Sequence, residues 1–178
     1  MHKRTCNITL LFIILAVFWL VSFTMNTWFS ETMPRHQVMQ LPIMLILGLA
    51  TGRLYSYNLS MNVSWGITVF ILTMFSLIFW MIPHSIDKAV ILPWFNRVMH
   101  VNMFAAGFFV VPAFRQMIFE IKIVFLGMIS AMVIATGITL TVFNILLCSA
   151  FNIVQQRQTG TWLIIIGTLL FITTLFTF

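Results

Sequence analysis

The sequence predicts an all-α, polytopic membrane helix bundle of about six transmembrane helices, and three observations carry that expectation. Of the 178 residues, 61% are apolar and only 7% are charged, far below the charged quarter that typical soluble domains carry. The apolar residues gather in runs close to the ~20 residues that cross about 30 Å of hydrocarbon. The nine Lys and Arg residues stand singly or in one pair, so no stripe exists to follow a phosphate backbone. These features exclude a cytosolic enzyme, a nucleic-acid reader and a disordered tail, and make the lipid bilayer the first partner.

The chain reads as a single transmembrane domain, 1–178, with spans near 8–29, 37–56, 63–83, 97–115, 121–148 and 160–178. The opening Met1-His2-Lys3-Arg4 resembles the start of a signal peptide. The apolar stretch from Ile8 to Trp28 is nevertheless long enough to span and lacks a small-residue cleavage site, so it is read as a retained helix. The second span carries Gln37, Gln40, Pro42, Gly48 and Gly52, and the fourth carries Asn102 and Pro112. Such residues are tolerated where protein surrounds them, so these two helices are expected to be neighbours inside the bundle. Gly48 and Gly52 form a Gly-x-x-x-Gly face, which implies close helix packing. Asn102 and Asn144 are expected to bond between helices.

Between the third and fourth spans, residues 84–96 mix apolar and charged side chains over a stretch too short to cross, and should lie along the outer interface. Lys3 and Arg4 flank the first helix, with Arg53, Arg115 and Lys122 on the same side and Arg35, Lys88, Arg97 and Arg157 opposite. That distribution favours a cytoplasmic N-terminus in the inner (plasma) membrane of a prokaryote. Trp28, Trp80, Trp94 and Trp162 fall at one expected interface and Tyr55, Tyr57 and Trp65 at the other, while Trp19 is mid-span and expected to pack. Cys6 and Cys148 fall on opposite faces, beyond disulfide reach. Glycosylation-type triplets at Asn7, Asn58 and Asn62 read as chance matches.

Glu31, Asp87 and Glu120 are the only carboxylates, and all lie between spans. No paired acid and base within the membrane and no Ser-His-Asp set can be drawn from them, so the chain is expected not to be an enzyme. The histidines are more informative. His36, His84 and His100 fall on the same expected outer face, and His36 and His100 begin the second and fourth helices. Met39 and Met103 each follow one of them at i+3, a spacing that puts the two side chains on one face of an α-helix. Imidazole nitrogen with thioether sulfur suits Cu(I), so His36, His100, Met39 and Met103, with His84 as a further ligand, are the candidate copper set. Other readings fit the same residues: histidines that merely contact water at the interface, a bis-imidazole haem, or quinone handling.

The run Arg35-His36-Gln37-Val38-Met39-Gln40-Leu41-Pro42, then Ile82-Pro83-His84, then Asn96-Arg97-Val98-Met99-His100-Val101-Asn102-Met103, leading to Gly107, resembles the CtaG family of cytochrome c oxidase assembly factors. The resemblance covers roughly residues 33–115. It implies a polytopic protein linked to copper delivery to haem-copper oxidases, with respiratory oxidase subunits as partners. In that pattern His36 matches the first histidine of an earlier pair and His100 the second of a later pair. Gln40 and Asn96 stand where the other two would be. The competing expectation is a non-catalytic structural subunit of a larger membrane complex that binds lipid or quinone.

Overall fold

The computed structural model describes residues 2–55, 62–143 and 146–177; Tyr57, Asn58 and Asn144, and the side chains of His2, Cys6 and Asn7, lie outside the described residues. Every regular element among those described is helical. Helix α1 (His2–Trp19) continues into a π turn (Leu20–Thr24) and is followed by the short α2 (Asn26–Ser30). A second π turn (Arg35–Gln40) leads into α3 (Leu41–Tyr55). Then come α4 (Val63–Met81), the short α5 (Pro83–Ile91), α6 (Pro93–Gln116), α7 (Phe119–Val142) and α8 (Ile153–Thr177). Pro83 and Pro93 each sit at the start of a helix, where the missing N–H would be unpaired in any case.

Among the described residues, five helical segments are long and apolar enough to cross a membrane: Arg35–Tyr55, Val63–Met81, Pro93–Gln116, Phe119–Val142 and Ile153–Phe176. The first apolar stretch, Ile8–Thr24, is shorter. The fifth span stops at Val142 rather than running to residue 148, and the last begins at Ile153. Side chains from elsewhere explain the break. Asp87 accepts hydrogen bonds from the backbone N–H of Ser149 (2.8 Å) and of Ala150 (3.0 Å), and from the Ser149 hydroxyl (3.0 Å). Gln156 accepts from the Leu147 N–H at 2.9 Å. These acceptors take backbone donors that a continuing helix would have used itself.

The same loop buries Cys148, where loss of hydration and the neighbouring Asp87 carboxylate push the thiol up to about 12. Compared with its ordinary value of 9.0, the thiolate fraction is lower by on the order of 10³. A Cys6→Ser protein should therefore resist iodoacetamide at pH 8.5 while folded and react promptly in denaturant. Equal rates in the two states would contradict the buried loop.

Contacts fix the helix directions. Phe70 stacks on Phe125 with centroids 4.1 Å apart and the Thr136 hydroxyl reaches Met81 Sδ at 3.7 Å, so α4 and α7 run parallel. Ser76 and Trp80 both donate to Asn102 Oδ1, the indole at 2.8 Å, while Phe70 meets Phe114; α4 and α6 are antiparallel. Asn102 is thus the interhelical partner the sequence led one to expect. Trp80 is a correction: its indole is held inside by Asn102, and at 3% exposure it belongs to no interfacial belt. Trp19 departs in the other direction, lying on the surface stacked over Phe23.

Helices α3 and α6 run parallel at close range, as expected for the two proline-bearing, amide-bearing spans. A Cβ at Gly48 would collide with the Phe104 carbonyl oxygen, one at Gly107 with that of Leu45, and one at Gly52 would lie 2.5 Å from the Phe108 oxygen. The advance from 48 and 104 to 52 and 108 sets the register, which puts Gln40 level with Asn96. Gly137 and Gly160 do the same for antiparallel α7 and α8, where each added Cβ would come within 2.7 Å of the other's carbonyl oxygen. Gly127 faces open space. Gly48→Ala should therefore cost about 1–3 kcal/mol through overpacking, whereas Gly127→Ala should gain about 0.5–1 kcal/mol of helix preference. Thermal unfolding in detergent compares the two; equal midpoints would refute the α3–α6 contact.

Candidate functional site

The parallel register of α3 and α6 sets a cluster of polar side chains between them, near the end where both helices begin. Asn26 of α2 is its hub. Asn26 Oδ1 accepts from Gln40 Nε2 at 3.1 Å and from Asn96 Nδ2 at 2.6 Å. Gln40 Nε2 also donates to the Val21 carbonyl at 3.3 Å, inside the first π turn. Gln40 Oε1 pairs with His36 Nδ1 at 2.7 Å. His36, Gln40, Asn96 and His100 are all at most 2% exposed. The two imidazoles lie within electrostatic reach of one another.

Three ring nitrogens in this cluster have no hydrogen-bond partner: His36 Nε2 and both nitrogens of His100. Asn96 Oδ1 and both amide atoms of Gln37 are likewise unpaired. A buried polar atom without a partner costs roughly 1–3 kcal/mol. So many in one place mark a spot where the fold accepts instability and where an electron-pair acceptor or hydrogen-bonding guest would restore it. Neutral imidazole nitrogens offer lone pairs, and buried Met103, one turn beyond His100 on α6, offers a thioether. Among the described residues no group of three or more His, Cys, Asp or Glu side chains forms a metal-binding set. A metal held here would draw on the two imidazoles together with thioether or amide donors.

Of the candidate set, the structure buries His36, His100 and Met103 along the α3–α6 seam and leaves Met39 and His84 exposed. Met39 is 46% exposed because Arg35–Gln40 is a π turn. Its wider winding carries the i+3 residue off the face of His36 and puts the i+4 residue, Gln40, there instead. In α6, which is regular α-helix, the same i+3 spacing holds and Met103 is buried with His100. His84 is exposed because α5 turns Ser85, Ile86, Asp87 and Ala89 inward. Sequence reasoning missed Asn26; it read Gln40 as an amide that protein must surround, and both Gln40 and Asn96 as standing in place of histidines, not as members of the site. Both lie at i±4 from a histidine, so the spacing rule applied to amides finds them. Asn26, at the start of the five-residue α2, carries no such signal.

No protein-family model, no curated protein and no solved structure matches this chain.

Proposed function

We propose that this multi-pass membrane protein binds Cu(I) between α3 and α6, with His36 and His100 as nitrogen ligands and Met103 as thioether ligand. In this reading it is not an enzyme. It is a copper-handling or assembly factor that supports a respiratory oxidase in the inner membrane of a prokaryote, with a cytoplasmic N-terminus. The observation that carries the metal part is the shared burial of two imidazoles with three unpaired ring nitrogens. The oxidase part rests on the resemblance of residues 33–115 to the CtaG pattern.

Soft donors favour Cu(I), while zinc prefers nitrogen, thiolate or carboxylate. Purified protein titrated with Cu(I) against a chromophoric chelator should take up about one equivalent per chain, and Zn(II) should compete poorly. Absence of copper above background after reconstitution, together with a stoichiometric protein partner on purification, would replace this reading with that of a structural subunit.

A further inference from the structure

Beside the histidine cluster the bundle holds a cavity of about 1110 Å³, which runs between α3, α4, α6, α7 and α8. Its walls are hydrocarbon, with Leu45, Leu77, Val110, Ile129 and Leu163 among them. Its two ends differ. At one end lies Gln37, 3% exposed, lining the cavity with both amide atoms unpaired. Trp80 and Met103 also line the cavity, and the Trp80 ring is fixed by its bond to Asn102. The other end is reached 16 residues further along the same helix, at Arg53, where Arg115 and Lys122 also line the wall. At ~1.5 Å per residue the two ends are about 24 Å apart.

We propose that this cavity is a binding site for an isoprenoid quinone, with the head group against Gln37 and the tail along the apolar length. Four observations select that class. Gln37 needs both an acceptor and a donor, and a quinone or quinol ring oxygen supplies each in turn to its Nε2 and Oε1. Among the described residues no charged side chain lines the Gln37 end, so an ionic head group would be stranded there without a counter-charge, and a neutral one is favoured. A fixed indole and a thioether make a polarizable wall suited to a flat ring. The length and apolarity of the remainder fit a long hydrocarbon tail rather than a compact ligand. The three cations at the far end sit where long basic side chains reach the membrane surface, beyond the tail. The inference rests on Gln37 and the apolar cavity and not on the two histidines; Met103 is the one side chain it shares with the copper proposal, so the two are tested separately through Gln37 and the histidines.

The test uses the purified full-length protein and two probes, a decyl-tailed benzoquinone and its tail-less methyl analogue, with binding read by equilibrium dialysis. The decyl compound should bind saturably at one per chain, and the methyl analogue at least tenfold more weakly. Gln37→Met, which keeps the length but removes both polar atoms, should weaken the decyl compound at least tenfold. Leu77→Trp, which fills the cavity without touching Gln37, should abolish binding. Gln37→Glu guards against misfolding in the Met variant: it keeps an acceptor but brings a charge, and should also bind less. Non-saturable binding, or indifference to both Gln37→Met and Leu77→Trp in folded protein, would overturn the proposal. So would displacement by an anionic phospholipid that depends on Arg53 and Lys122, which would assign the cavity to lipid. Loss of copper binding with quinone binding intact, or the reverse, tells the two readings apart.

Discussion

His36→Ala combined with His100→Ala should lower Cu(I) affinity by more than about 100-fold, since even changes to residues that only orient ligands cost 10–100-fold. Each single variant should lose most of that, because both imidazoles are buried and, among the described residues, no third histidine is buried with them. Met103→Leu should weaken Cu(I) while leaving Zn(II) nearly unchanged, as the thioether has little zinc affinity. The exposed candidates provide the contrast. Met39→Leu and His84→Ala should bind like the parent protein, because both side chains lie outside the buried cluster. Removing a buried imidazole that has at least one unpaired ring nitrogen should not unfold the bundle; circular dichroism after each change separates lost ligands from lost fold. If both histidine variants retain parental affinity, the copper reading is wrong.

The helical bundle was legible because it is written in composition and run length, which lipid reads directly: five full-length spans follow the hydropathy. The adjacency of the second and fourth spans was legible too, from Pro, Gly and amide residues that lipid tolerates poorly. The end of α7 was not. Residues 143–148 are as apolar as a helix interior, and what ends the helix is Asp87, some 60 residues away, together with Gln156. Tertiary hydrogen bonds of that kind leave no local mark. The candidate site was half legible for a related reason. A spacing rule presumes α-helical winding, which holds at His100 and Met103 and fails at His36 and Met39, where the backbone is a π turn. The same turn aligned His36 with Gln40, so a residue that looked like a missing histidine is the one that orients the histidine present.

Asn26 should prove as consequential as a ligand, although it touches neither imidazole. Its Oδ1 accepts from Gln40 on the second span and from Asn96 on the fourth, so one atom joins three elements. Asn26→Leu leaves the Asn96 amide with no partner at either end and leaves Gln40 Nε2 only its 3.3 Å bond to the Val21 carbonyl. The stability cost should be about 1–3 kcal/mol, nearer the low end if the loosened groups find other partners within the membrane. Cu(I) affinity should fall roughly 10-fold or more, since Gln40 would no longer be held against His36 Nδ1. Asn26→Asp gives the opposite test: a carboxylate still accepts from both amides and adds a negative charge beside the site, so affinity should be retained or raised. A cycle then isolates the cause. On a His36→Ala background, Asn26→Leu should cost little further affinity, because the orientation it supplies no longer has an imidazole to act on. Additive losses in that cycle would mean that Asn26 supports the fold alone and has no part in presenting His36.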